Sequence, residues 1–186
     1  PLWVEGFRQV GEDMMDAWQY FRSGNRIIGR MPVGTFMYDM RRDHQHWHFT
    51  QFASFSLLDA SGKVVIPGTK EAWCLAPTDA IDLLLPKAEL RPGTTDFSMC
   101  GGMDAMWVRE SLAVGWADTY WNGIAGQSFD ISGLPNGKYL IRFVVNPRGQ
   151  LHESDTTNNV VTRVVHIKGK PGARYVVAAP WHGITA

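Results

Sequence analysis

Three of the chain's six histidines fall within five positions, His44, His46 and His48, in the stretch DHQHWHFTQF. In a β-strand, positions i, i+2 and i+4 share a face, so these three imidazoles point one way while Gln45, Trp47 and Phe49 point the other. Adjacent members then stand ~7 Å apart at the Cβ, within reach of one ion, whereas the outer two stand ~13 Å apart on a flat strand. A shared site therefore demands a twist or a bulge here. All-imidazole ligation suits copper, zinc, iron or nickel and disfavours calcium or magnesium. The competing view is a polar strand face with three solvated histidines. Strict alternation followed by an apolar run favours the metal, with zinc as the default identity because the triplet itself names none.

Other clusters are less specific. HESDTTNNVV offers Glu153, Asp155, Asn158 and Asn159 as oxygen donors beside a strand, the type that hard cations such as calcium prefer. A turn whose Asp and Asn side chains satisfy nearby backbone groups accounts for the same residues more simply. His152, His166 and His182 are scattered and read as structural or exposed. Cys74 and Cys100 permit one disulfide, which would stabilise by about 3.5 kcal/mol on chain entropy. Two separate buried thiols are equally compatible with composition.

The elements that must position these residues are mostly strands. At 186 residues the chain suits a single domain, residues 1–186, with a core that needs no obligatory metal or disulfide. Eighteen basic residues balance eighteen acidic ones, so no global field draws it to nucleic acid or an anionic membrane. No apolar run approaches the ~20 residues of a spanning helix. The chain begins at Pro1, without initiator methionine or signal pattern, as a processed or trimmed product would. HWHFTQFASFSLLD runs to the turn DASGK and on to VVI; QSFDISGL and KYLIRFVVN flank the turn PNG; NNVVTRVVHI alternates as a half-buried strand. EDMMDAWQYF and DAMWVRESLAV are expected as short helices. Residues 75–127, rich in Pro, Gly and Asp, are expected to form a long irregular region. The fold class expected is all-β: a β-sandwich with an elaborate loop region and few short helices.

Taken in order, HQHWH, FTQFASFSLLDASG, GTKEAWCLAPTD, ADTY, QSFDISGLPNGKYLIRFVVNP and HESDTTNNVV resemble the catalytic domain of lysyl oxidases, with the nearest likeness to bacterial, actinobacterial-type members. The resemblance runs from Pro1 to about Ile167. It implies a copper-dependent amine oxidase, with copper(II) on His44, His46 and His48. It further implies that Lys70 of GTKEAWCL and Tyr120 of ADTY become cross-linked into lysine tyrosylquinone, a cofactor built from the chain. Without the resemblance, Lys70 reads as a surface lysine beside a turn and Tyr120 as a partly buried aromatic. The resemblance also implies a Cys74–Cys100 disulfide and with it an oxidising, secreted or cell-surface setting. It implies a calcium contribution from the Glu153–Asn159 segment as well, and further strands upstream of PLWVEGF.

The implied chemistry explains the residue types. Copper beside a tyrosine supports oxygen-dependent oxidation of the ring, and a neutral lysine amine is a nucleophile that can add to it. The quinone then takes electrons from a primary amine, a small amine or peptidyl lysine, while a general base removes a proton from the carbon bearing nitrogen. The products are an aldehyde, ammonia and hydrogen peroxide. Vertebrate members carry a histidine in the strand after the copper motif; here Ser54 is its nearest counterpart, which leaves the general base open, and Asp118 of ADTY, close to the tyrosine in sequence, is equally suited to capping a turn. Vertebrate members also hold several disulfides where this chain can hold one. A second function class is a cell-surface β-sandwich that binds copper or zinc without catalysis, which needs neither Lys70 nor Tyr120. A third, an adhesive or structural wall domain, accounts for the 12% aromatic content but not for the triplet.

Overall fold

The computed structural model describes residues 1–42, 44–70, 72–92, 99–121, 123–124 and 126–180, so His182 lies outside the described residues. All thirteen strands pair antiparallel and no helix occurs among the described residues. The chain divides into two compact units, each assembled from three separate segments.

The first unit comprises Pro1–Phe52, Ala72–Thr119 and Arg148–His152. Its six-stranded sheet has the order β7-β4-β3-β2-β1-β9, from β1 (Leu2–Arg8), β2 (Met14–Ser23), β3 (Arg26–Asp39), β4 (His46–Thr50), β7 (Ala72–Trp73) and β9 (Trp107–Leu112). A small two-stranded sheet joins β8 (Asp79–Ala80) to β10 (Trp116–Ala117). Both segments expected to be helical are strands. In β2, Met15, Ala17 and Gln19 are buried while Met14 and Asp16 are exposed, a period of two that only a strand provides. In β9, Val108 and Glu110 are buried while Trp107 is exposed and Arg109 half-buried. Runs such as DMMDAW carry enough apolar residues to satisfy either period, and pairing with β1 on one side and β3 on the other decides for β2. For β9 the deciding partner is β1, where Arg109 lies directly opposite Glu5 and bonds it at 2.7–2.8 Å.

The second unit comprises Ala53–Glu71, Tyr120–Pro147 and Glu153–Ala186. Its five-stranded sheet has the order β13-β12-β11-β5-β6, from β5 (Ala53–Asp59), β6 (Val64–Pro67), β11 (Gly137–Val145), β12 (Val160–Lys170) and β13 (Ala173–Ala178). Leu57, Tyr139, Val165 and Ile167 form its buried core. QSFDISGL, expected as a strand, is irregular: Phe129, Ile131 and Leu134 pack on that core while Asp130 accepts the Ser132 N–H to close a turn. The run HWHFTQFASFSLLD is broken at Gln51, whose φ of 63° ends β4 and starts the passage to β5.

Within the first unit Glu110 is wholly buried, and its Oε2 accepts the Leu75 N–H at 2.8 Å. Burial drives its carboxyl well above the ordinary value of 4.5, assisted by the nearby Asp118 charge and opposed by the Leu75 and Phe49 N–H groups. The native state thus holds a proton that the unfolded chain releases above about pH 4.5. Wild-type stability should fall as pH rises from there toward the folded-state value. Glu110→Gln, neutral and of the same shape, should flatten this dependence and raise neutral-pH stability, measured by urea unfolding across a pH series. An unchanged slope would mean that Glu110 is ionised in the fold.

Candidate metal centre and lysine–tyrosine pair

The histidine cluster belongs to the first unit and is built from a hairpin edge. β3 and β4 pair through Phe36↔Phe49, Met37↔His48, Tyr38↔Trp47 and Asp39↔His46. Only His46 and His48 lie in the strand; His44 sits in the turn before it, its N–H donated to the Arg41 carbonyl at 3.0 Å. Gln45 between them adopts φ 32°, off the extended conformation, and its carbonyl accepts the Tyr38 hydroxyl at 2.7 Å. That departure from strand geometry answers the distance problem. The rings of His44 and His48 come to 5.2 Å between centroids, His44 and His46 to 6.0 Å, and His46 and His48 to 4.5 Å. One ligand nitrogen from each lies within 4.8 Å of the others.

The cluster is not a solvated strand face. His44 is 5% and His48 1% exposed, with His46 half-buried. Behind them stands Asp39, a residue that the sequence did not single out. Its Oδ2 lies 3.4 Å from His44 Nδ1 and 3.6 Å from His48 Nδ1. Burial pushes the Asp39 carboxyl up, but hydrogen bonds from the Arg41 guanidinium and backbone N–H, with the charges of Arg41 and His44, outweigh it and hold the group well below the usual carboxylate range. An ionised carboxylate this close to the Nδ1 atoms of two imidazoles stands where a second-sphere carboxylate orients metal-ligating rings. Three converging imidazoles backed by an ionised carboxylate fit copper(II) or zinc(II).

Trp47 and Phe49, on the opposite side of β4, are each 1% exposed. The indole N–H of Trp47 donates to the Gly102 carbonyl at 2.9 Å, and the Phe36 and Phe49 rings pack at 5.3 Å. The disulfide Cys74–Cys100 is formed, with Cα atoms 5.9 Å apart.

In the second unit Lys70 and Tyr120 meet. Lys70, expected at the surface on spacing alone, is 2% exposed, and its Nζ stands 4.7 Å from the centroid of the half-buried Tyr120 ring. Gly68, which the sequence did not flag, fixes the approach to Lys70. Its N–H donates to the Phe55 carbonyl at 2.8 Å, and a Cβ there would lie 2.3 Å from that oxygen. An ammonium over an aromatic face is attracted by about 0.5–2 kcal/mol. The same proximity is what addition of the amine to an oxidised ring requires.

Elsewhere in this unit the Glu153 carboxylate accepts from the Asn146 and Asn159 amides, at 2.5 and 2.8 Å, and Asp155 accepts from Thr157 N–H and hydroxyl. Asn158 is exposed in the same turn. Ser54 lies half-buried in β5, and Asp118, in the first unit, is half-buried beyond β10. His152 N–H and carbonyl both bond the Gln19 side chain, while His166 is exposed on β12.

Comparison with known proteins adds lineage to this geometry. The family model described as lysyl oxidase matches residues 30–177. Lysyl oxidase homolog 1 of Homo sapiens is 34% identical over 137 residues, covering 73% of this chain and 21% of that protein. Lysyl oxidase homolog 4 of Mus musculus is 28% identical over 160 residues, covering 86% and 19%. Lysyl oxidase homolog 2B of Danio rerio is 29% identical over 119 residues, covering 63% and 14%. The chain thus spans about a fifth or less of the length of these relatives. On the matched span, and with its histidine cluster inside it, the chain belongs to the lysyl oxidase family.

Proposed function

We propose that this chain is the oxidising domain of a copper-dependent amine oxidase that builds lysine tyrosylquinone from Lys70 and Tyr120. The observation that carries the reading is the buried Lys70 amine poised 4.7 Å from the Tyr120 ring centroid. A simple metal-binding module has no use for that pair.

His44, His46 and His48 would hold copper(II), oriented by Asp39. Bound there, copper supplies the oxygen-dependent oxidation of a phenol ring. Tyr120 provides the ring to be oxidised and Lys70 the nucleophile that adds to it once neutral. Gly68 keeps the segment carrying Lys70 against Phe55, so little freedom is lost when the two side chains join. The overall reaction converts a primary amine, dioxygen and water into an aldehyde, ammonia and hydrogen peroxide. The substrates proposed are small primary amines or peptidyl lysine, with Asp118 the residue to be tested as proton acceptor. The disulfide supports an oxidising compartment, secreted or at the cell surface. Among the described residues no helix is long and apolar enough to cross a membrane. Calcium at the Glu153–Asn159 turn is no part of this chemistry.

Tyr120→Phe should abolish amine-dependent hydrogen peroxide production while leaving copper stoichiometry unchanged; oxidase activity surviving in that variant would sink the quinone assignment. Asp39→Asn should retain the fold but weaken copper binding by about 10–100-fold, read by competition with a chelator. An affinity equal to wild type would remove Asp39 from the metal's surroundings.

A further inference from the structure

We propose that the Cys74–Cys100 disulfide and Trp47 position the histidine triad, so that metal affinity depends on the redox state of this one bond. The inference rests on the metal role of His44, His46 and His48 proposed above and concerns residues that hold the strand rather than the ion.

β4 is five residues long and has two edges. One edge pairs with β3. The other is covered by two pieces of chain distant in sequence. β7 pairs through Phe49↔Trp73 and Thr50↔Ala72, and the Cys100–Gly102 segment takes Trp47. Trp47 donates its backbone N–H to the Cys100 carbonyl at 3.0 Å and its indole N–H to the Gly102 carbonyl at 2.9 Å. Cys74 directly follows β7, so the disulfide ties together the two pieces that grip this edge. Trp47 sits between His46 and His48, and whatever fixes it fixes both flanking imidazoles.

The gripping segment is not in a relaxed conformation. Met99, Cys100 and Gly101 have φ of 59°, 57° and 62°, a left-handed run in which two residues carry side chains. A Cβ at Gly101 would lie 2.8 Å from Ala105 Cβ and 2.9 Å from Val108 Cγ1, so the backbone is pressed against β9. Cys100 is fully buried, and Leu75, next to Cys74, is held by the buried Glu110 carboxyl. Reduction by a dithiol transfers two electrons and two protons to the sulfurs, cleaving S–S to two thiols while the reductant leaves as its disulfide. The left-handed segment is then free to relax, and Trp47 loses both acceptors together.

The test is copper(II) affinity by chelator competition, with the electron paramagnetic resonance spectrum of the bound ion, on four proteins in apo form. These are the oxidised wild type, the double variant Cys74→Ser with Cys100→Ser, Trp47→Phe, and Leu57→Ala. Trp47→Phe keeps the disulfide and the ring but loses the indole donor, so it carries the test if the double variant fails to fold. Leu57→Ala weakens the core of the other unit, and separates positioning from general destabilisation. Expected are a loss of about 10–100-fold and an altered spectrum in the double variant and Trp47→Phe, with Leu57→Ala at wild-type affinity. Affinities within about twofold of wild type in Trp47→Phe and in a folded double variant would overturn the proposal and leave the metal site standing. An equal loss in Leu57→Ala would also overturn it. Oxidised wild type that binds no copper would overturn the metal site and this positioning role together.

Discussion

Alternate side chains of an extended strand stand too far apart for three of them to meet one ion. The β3–β4 hairpin of the first unit breaks that regularity in one place. β4 starts only at His46, Gln45 takes a positive φ, and the turn held by the Arg41 carbonyl swings His44 back over its neighbours. A turn of this kind costs backbone strain and survives only where surroundings over-determine it. Here those surroundings are the Tyr38 hydroxyl on the Gln45 carbonyl and the buried Trp47 and Phe49 beneath the strand.

Electrostatics completes what backbone geometry begins. Three clustered imidazoles repel one another if protonated, and burial of His44 and His48 sharpens the penalty. An ionised Asp39, itself secured by Arg41, offsets this by facing two of the rings. Glu110 illustrates the opposite outcome in the same unit. No basic group faces it among the causes that set its titration, so burial governs and the neutral acid is favoured. The two carboxyls therefore differ in charge because Asp39 is less deeply buried and has a guanidinium beside it, whereas Glu110 is wholly buried with none. In the second unit the Lys70–Tyr120 pair obeys the same logic of proximity, with Gly68 removing the Cβ that would force its segment away from β5.

Much of this was legible in the sequence, and the exceptions share a cause. The all-β class followed from short runs punctuated by turns, and alternation within HQHWH exposed the candidate metal ligands and the need for distortion. Lys70 and Tyr120 carried no local signal; only their resemblance to family motifs connected them. The two expected helices failed because DMMDAW and AMWVRES fit both periods, and the deciding term is pairing with β1, which lies elsewhere in the chain. Asp39 and Glu110 were missed for the same reason. Asp39 reaches the histidines through the β3–β4 register and Glu110 reaches Leu75 through the β9 edge, neither of which a linear pattern displays. Gly68 looked like any turn glycine until the Phe55 carbonyl was placed against it.

The central claim is that Lys70 and Tyr120 become one cofactor. The most direct measurement is to load the purified protein with copper in air, digest it, and search the peptides by mass spectrometry. A peptide covalently joining Lys70 to Tyr120 is the expected result. Recovery of only separate Lys70 and Tyr120 peptides, with copper shown to be bound, would contradict the claim and leave a metal-binding β-protein in its place.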